Sequence, residues 1–143
     1  MPIIAIVGNK GGAGKTTLSV NLAAGISNQS SIAVIDADPQ GSSLQWRAIA
    51  GDNVHFPVYA PTFSLKQQAE SYSNKSDVVL IDCPPSVKSP QTISVLEFAD
   101  IALIPVQPSP MDLWATVHIE KAIAEAREAN PDLKALLVIY QLE

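Results

Sequence analysis

The chain has 143 residues and a formal net charge of −5, with 47% hydrophobic and 16% charged residues. This length and composition predict one domain over residues 1–143 with one hydrophobic core, and they exclude a disordered chain. No apolar run approaches the roughly 18 residues of a membrane-spanning helix, and the acidic total weighs mildly against a nucleic-acid surface on this segment.

Apolar runs alternate with helical patterns along the chain, which predicts an α/β fold with a mostly parallel sheet and helices on both faces. Strands are predicted at residues 3–7, 32–35, 54–59 (a weaker pattern), 78–81, 101–104 and 136–139. Helices are predicted at residues 15–27, 42–49, 65–73, 92–98 and 111–129. The first strand follows Met1-Pro2 with no basic leader, so we expect a cytosolic protein.

A glycine-rich stretch, Gly8-Asn9-Lys10-Gly11-Gly12-Ala13-Gly14-Lys15-Thr16-Thr17, follows the first strand and opens the first helix. Glycines let backbone N–H groups point at phosphate oxygens, and a helix N-terminus adds unpaired donors and a positive dipole end. Lys15 is then placed to neutralise the β- and γ-phosphates, and the Thr16 hydroxyl to complete a Mg²⁺ shell. The pattern predicts a P-loop, although Asn9 stands where the usual first glycine would be. The alternative is a glycine-rich turn that binds nothing.

Residues 10–17 resemble the deviant Walker A motif of the ParA/MinD family of ATPases, which carries an extra signature lysine. The resemblance implies a P-loop NTPase-like fold that uses ATP and Mg²⁺. It implies nucleotide contacts from Lys10, Gly11, Gly12, Ala13, Gly14, Lys15, Thr16 and Thr17. It further implies an ATP-dependent homodimer in which Lys10 reaches the phosphates bound by the other subunit and acts in catalysis with Lys15. The alternative for Lys10 is an exposed loop lysine.

Two carboxylates, Asp36 and Asp38, follow the second predicted strand in the segment Ile35-Asp36-Ala37-Asp38-Pro39-Gln40-Gly41. The carboxyl edge of a parallel sheet is where open α/β folds bind ligands. The segment looks like the Asp-x-Asp-Pro-Gln segment of the ParA branch, which implies that Asp38 orients the attacking water and that Asp36 lies near the Mg²⁺ shell. The alternative is that Asp36 caps a turn and Asp38 starts one before proline.

A third acid, Asp82, ends the apolar run 78–81 at the same predicted edge. Its position fits a Walker B aspartate that holds Mg²⁺ through its water shell, and Asp82-Cys83-Pro84-Pro85 is similar to the Asp-x-Pro-Pro of the family. The two prolines stiffen a turn from which a loop sensing the γ-phosphate would start. A solvated strand-end acid is the alternative for Asp82. Cys83, the one cysteine, excludes an internal disulfide and a cysteine-cluster metal site, and we assign it no chemistry.

A proline-rich stretch at residues 104–114 joins the fifth strand to the last helix. Its proline spacing is similar to that of short ParA-type proteins, in which this region lies near the dimer face. Ser109 or Asp112 is predicted to cap the helix, and Trp114 either anchors an interface or closes the core. The two histidines, at 55 and 118, have no partner at metal-ligand spacing and are predicted to be surface or packing residues.

The resemblance covers essentially the whole chain and implies an ATPase that dimerises with ATP and binds nucleoid DNA without sequence preference. A cargo-linked, ParB-like adaptor would release it by stimulating hydrolysis. Plasmid or chromosome segregation is the leading interpretation, and positioning of a protein cargo such as a microcompartment or chemoreceptor cluster is the sibling interpretation. A biosynthetic P-loop ligase similar to dethiobiotin synthetase is the alternative of another class, against which the Asp-Pro-Gln segment counts.

Family members are usually longer than this chain, so we expect a domain that is incomplete at its C-terminus. The adenine-recognition loop and the DNA-binding residues would then lie beyond residue 143. The last strand would lack a covering helix, which predicts exposed apolar surface. No membrane-targeting amphipathic tail is visible, and we expect no membrane partner.

Overall fold

The computed structural model describes residues 2–8, 13–51, 56–106 and 110–139. Within them, six strands form one parallel sheet with the order β3-β2-β4-β1-β5-β6. The strands are β1 (Ile3–Ile6), β2 (Ile32–Asp36), β3 (Val58–Tyr59), β4 (Val78–Asp82), β5 (Ile101–Val106) and β6 (Lys134–Ile139). The helices are α1 (Ala13–Ser27), α2 (Ser42–Ala50), α3 (Leu65–Ser73), α4 (Pro90–Leu96) and α5 (Pro110–Ala126).

Helices cover both faces of the sheet, as the alternating pattern predicts. On one face, α1 and α2 pack through Leu18, Leu22 and Trp46 against a core that contains Ile6 and Leu80. The other face carries α3, α4 and α5, whose core residues include Leu65, Ala69, Val95, Leu96, Ile119 and Ile123. The inner strands are buried on both sides, which is why they are continuous apolar runs in the sequence.

The strand register brings three strand ends to one level at the carboxyl edge of the sheet. Across β4, Asp82 is paired with Ile6 of β1 on one side and with Asp36 of β2 on the other. The glycine-rich stretch leaves β1 at this level, and the segment with Asp38 leaves β2 there. The order β2-β4-β1 therefore places all three predicted chemical segments side by side.

The predicted elements are confirmed, with shifts of a few residues at their ends. Residues 54–55 of the third predicted strand lie outside the described residues, and within 56–59 the residues that pair with β2 are Val58–Tyr59. Helix α4 begins two residues early, because the Ser89 hydroxyl accepts the N–H of Thr92 and Pro90 occupies the first helical position. Strand β6 begins at Lys134, because its pairing with β5 starts opposite Ile101.

The prediction of exposed apolar surface at the last strand is also confirmed. Leu136, Leu137 and Ile139 of β6 are each more than half exposed. Because successive residues of a strand point to opposite faces, the neighbours Leu136 and Leu137 show that both faces of β6 are open in the described chain. No helix within the described ranges combines the length and the apolar character needed to cross a membrane.

Candidate functional site

A buried lysine joins two of the three sheet-edge segments. Lys15 is the third residue of α1 and is only 5% exposed. Its ammonium nitrogen lies 2.5 Å from Oδ1 of Asp82 and 3.6 Å from Oδ2 of Asp38. The structure therefore brings Lys15 together with the two acids that the sequence pattern singles out for magnesium binding and for orienting water.

Asp82 is fully buried, and both of its carboxylate oxygens have partners. Oδ1 contacts Lys15, and Oδ2 accepts a hydrogen bond of 2.8 Å from the hydroxyl of Ser43. Ser43 lies in the first turn of α2 and is 1% exposed. Sequence reasoning missed this residue, because a serine near a helix start is explained by capping and its spacing does not reveal a partner on another strand.

Asp36 is fully buried as well, but both of its carboxylate oxygens accept hydrogen bonds from backbone N–H groups. Oδ1 accepts the N–H of Asp38 at 3.1 Å, and Oδ2 accepts the N–H of Leu44 at 2.9 Å. The residue at the N-cap of α2 is Gly41, which has φ 65° and no side chain to cap the helix, so Asp36 supplies the cap from the neighbouring strand. These contacts match the capping interpretation of Asp36, and its role near Mg²⁺ stays a prediction.

Asp38 is less enclosed than the other two acids, with a side chain that is 9% exposed. Its Oδ1 accepts the N–H of Gln40 at 3.0 Å and holds the following turn, while Oδ2 faces Lys15. Asp38 also lines an open cleft of about 860 Å³ together with Thr62 and the fully exposed Phe63. Asp38 is therefore the least enclosed of the three acids and the one that contacts both Lys15 and the cleft.

Burial raises the pKa of Asp36 above its ordinary value of 3.8, although the N–H of Leu44 lowers it. An acid whose pKa is higher in the folded chain binds more protons there than in the unfolded chain, so its contribution to stability declines as the pH rises through that window. We therefore expect Asp36→Asn to lower the free energy of unfolding, by a deficit that is largest at acidic pH and shrinks as the pH rises above the ordinary pKa of the carboxyl group. Urea unfolding at a series of increasing pH values measures the deficit, with the exposed Asp132→Asn as the control. A deficit that grows with pH would contradict the raised pKa.

Several predicted site residues lie outside the described part of the chain. They are Lys10, Gly11 and Gly12, together with Ser109 and His55. The backbone of α1 includes Ala13, Gly14, Thr16 and Thr17, but their side chains are outside the description. The same holds for the side chains of Asp112 and Trp114 in α5, whereas His118 is described and exposed.

The described donors fit a magnesium-bound phosphate ligand. Mg²⁺ usually keeps several waters and takes one or two carboxylates plus phosphate oxygens. Asp82 and Asp38 supply carboxylates beside the cation of Lys15. Within residues 2–8, 13–51, 56–106 and 110–139, no cluster of three His, Cys, Asp or Glu side chains is arranged to hold a metal ion by itself.

Curated relatives with similar sequences include proteins of two biological roles. The "Maintenance of carboxysome distribution protein A" of Halothiobacillus neapolitanus is 38% identical over 143 residues, which cover 98% of this chain and 66% of that protein. The protein of the same name from Gloeobacter kilaueensis is 33% identical over 119 residues, covering 81% of this chain and 55% of that protein. The "Sporulation initiation inhibitor protein Soj" of Bacillus subtilis is 31% identical over 147 residues, covering 73% and 58%. The chain thus spans just under two thirds, or less, of these relatives.

Solved structures share the fold at low identity. Cobyrinic acid a,c-diamide synthase from Mycobacterium smegmatis, with bound ADP and magnesium, gives a TM-score of 0.83 at 22% identity and covers 97% of this chain and 74% of that one. A plasmid partition protein from Borrelia burgdorferi gives 0.72 at 19% identity, covering 99% and 79%. The apo McdA of Cyanthece gives 0.72 at 18% identity, covering 100% and 75%. These likenesses confirm the predicted P-loop NTPase-like fold.

A family model extends over nearly all of the described chain. It is the model of the CobQ/CobB/MinD/ParA nucleotide binding domain, and it matches residues 4–139. This range runs from β1 to the end of β6 and includes the glycine-rich stretch and all three acids. The resemblance to the ParA/MinD family is confirmed, and the chain belongs to the family of CobQ/CobB/MinD/ParA nucleotide binding domains.

Proposed function

We propose that this chain is the nucleotide-binding part of a ParA-type ATPase that dimerises with ATP and positions a protein cargo over the nucleoid. The observation that carries the proposal is the burial of Lys15 between Asp38 and Asp82, at the edge where the glycine-rich stretch leaves the sheet. A cation and carboxylates converge there from elements far apart in the sequence. ATP with Mg²⁺ is the ligand whose charges these groups complement.

Phosphoryl transfer to water needs little covalent chemistry from a protein and much charge neutralisation around the γ-phosphate. In our proposal, Lys15 and the backbone donors of residues 11–16 neutralise the phosphates. Thr16 and Asp82 would hold Mg²⁺, directly or through its waters, and Asp38 would orient the attacking water. Bound Mg²⁺ would supply further neutralisation of the phosphate charge. The last cation, Lys10, would come from the second subunit.

Asp38→Asn is expected to keep ATP binding and to slow hydrolysis by roughly 10²- to 10⁴-fold, as for removal of a positioned proton acceptor. Asparagine has nearly the same shape, but its amide cannot accept a proton from water. Steady-state phosphate release measures hydrolysis, and calorimetry with Mg·ATP measures binding. The exposed Asp132→Asn serves as the matched control. Unchanged phosphate release in the Asp38 variant would remove Asp38 from the mechanism.

The identities of the relatives favour a protein cargo over a DNA cargo. The two carboxysome-distribution relatives are 38% and 33% identical, whereas the relatives named for chromosome partitioning in Myxococcus xanthus and Thermus thermophilus are each 28% identical. DNA segregation, the leading interpretation of the sequence, is therefore our second candidate. The biosynthetic interpretation is the weaker candidate, because the synthase likeness is at 22% identity, which shows the fold alone.

The partners follow from the same proposal. We infer a cytoplasmic, nucleoid-associated homodimer, a cargo-linked adaptor that acts as ParB-like proteins do, and non-specific DNA contacts made by the whole protein. One solved neighbour is a MinC:MinD complex, which supports recognition of a protein partner by this fold.

Three experiments test the proposal. Calorimetry with Mg·ATP tests nucleotide binding, and no heat of binding would overturn the ATPase assignment. Deleting the gene in its host tests the cargo: clumped protein assemblies with normal DNA inheritance would support a protein cargo, and loss of a plasmid or chromosome would overturn it. An electrophoretic mobility shift with DNA of arbitrary sequence tests the nucleoid contact. We expect the shift to require ATP and to weaken steeply as the salt concentration rises.

A further inference from the structure

The first turn of α2 contacts both fully buried acids of the sheet edge through successive residues. The Ser43 hydroxyl donates to Oδ2 of Asp82 at 2.8 Å, and the Leu44 N–H donates to Oδ2 of Asp36 at 2.9 Å. Asp82 and Asp36 are paired across β4 and β2. The start of α2 is therefore fixed to both strands from which the site is built.

The two oxygens of Asp82 have different partners. Oδ1 contacts Lys15, and under the proposed function phosphate oxygens would compete with Oδ1 for the Lys15 ammonium group. Oδ2 accepts the hydrogen bond of the Ser43 hydroxyl, and the proposed function gives this hydroxyl no phosphate contact. Within the described residues, the side-chain partners of Asp82 are these two. If a nucleotide drew Lys15 away from Asp82, the hydrogen bond from Ser43 would be the side-chain contact that still held the Asp82 carboxylate.

We infer that Ser43 is a positioning residue for Asp82. By occupying Oδ2, the hydroxyl fixes the rotation of the carboxylate about its Cβ–Cγ bond and leaves Oδ1 directed toward the phosphate side of the site. Asp82 is then already oriented to hold Mg²⁺, directly or through a water, when the nucleotide takes over Lys15. This inference rests on the proposed function, because it requires a Mg²⁺-bound nucleotide at Lys15.

Ser43 could instead serve only the stability of α2. The two roles differ in their dependence on Mg²⁺. A positioning residue affects nucleotide binding only where Mg²⁺ takes part, since a hydrogen-bonded neighbour of a metal-binding group typically tunes metal affinity by about 10- to 100-fold. A residue that only stabilises the helix affects binding equally with and without Mg²⁺, or not at all.

The experiment is calorimetry with ADP, which avoids turnover, with Mg²⁺ titrated in and with EDTA as the metal-free arm. We expect Ser43→Ala to raise the Mg²⁺ concentration for half-maximal ADP binding by about 10- to 100-fold. Binding in EDTA should be unchanged, and Ser43→Thr should restore the midpoint. Ser42→Ala is the matched control on the same helical turn.

Ser43→Thr and Ser43→Val are compared as a second pair of variants. They have nearly the same size, but threonine keeps the hydroxyl group and valine has a methyl group in its place. If Ser43→Ala fails to fold, a higher Mg²⁺ midpoint for Ser43→Val than for Ser43→Thr still supports the inference. Equal midpoints in this pair would overturn it, as would a loss of affinity that is the same in EDTA. If the unmodified chain binds no ADP in either arm, the proposed function fails and the positioning role fails with it.

Discussion

Lys15→Met is expected to abolish Mg·ATP binding and to lower the free energy of unfolding by about 3–5 kcal/mol, as for breaking a buried ion pair. The side chains of Lys15 and Asp82 are 4% and 0% exposed, so water cannot replace the lost ammonium. Asp82 would keep the hydrogen bond from Ser43 but would be left charged beside Asp36 and Asp38. The same substitution removes the cation that neutralises the phosphates. Urea unfolding measures the first effect and calorimetry with Mg·ATP the second.

A second substitution separates these two effects. Adding Asp82→Asn to Lys15→Met removes the uncompensated charge while keeping an acceptor and a donor in place. We expect the double variant to recover most of the lost stability and to remain unable to bind ATP. The exposed Lys88→Met is the control for losing a lysine. If Lys15→Met alone were as stable as the unmodified chain, the pair would contribute nothing to folding and our account of the buried site would be wrong.

Lys10→Ala is expected to leave nucleotide binding nearly intact, to abolish ATP-dependent dimerisation, and to slow hydrolysis by about 10³- to 10⁵-fold. Lys10 lies outside the described residues, and the expectation comes from its place as the signature lysine of the motif. In the proposed dimer, this cation would come from the second subunit, contact the phosphates and stabilise the charge of the transition state. Light scattering with Mg·ATP measures dimerisation, and phosphate release measures hydrolysis. The exposed Lys66→Ala is the control.

Mixing two inactive variants tests whether Lys10 acts across the dimer. A Lys10→Ala subunit keeps Asp38, and an Asp38→Asn subunit keeps Lys10. In a mixed dimer, the site of the first subunit would have its own Asp38 and the Lys10 of the second. We expect hydrolysis to reappear on mixing although each variant alone is inactive. Normal dimerisation of Lys10→Ala, or no recovery on mixing, would show that Lys10 does not act in trans.

The local sequence determined the order of the elements and most of the candidate site. The continuous apolar runs of β1, β2 and β4 mark strands that are buried on both faces, whereas the equally apolar run of β6 is open on both. Each run is followed by a helical pattern or a turn, so the α/β fold follows from the sequence pattern. Lys15, Asp38 and Asp82 are marked by position, because each lies where an apolar strand ends or where the following helix begins. Element ends were less predictable, as at Pro90, where capping by Ser89 moved the helix start.

The tertiary structure decided which of these groups touch. Lys15 and Asp82 are 67 residues apart, and Ser43 and Asp82 are 39 apart, so their contacts depend on the strand order β2-β4-β1. Asp36 and Asp38 both border the cleft, but packing gives them different partners: Asp36 accepts the N–H of Leu44 at the start of α2, while Oδ2 of Asp38 faces Lys15. The position of a residue in the sequence determines which edge of the sheet its side chain reaches. The packing of helices onto the sheet determines which hydrogen-bond donor that side chain contacts. The contact between Ser43 and Asp82 could therefore be found only from the tertiary structure.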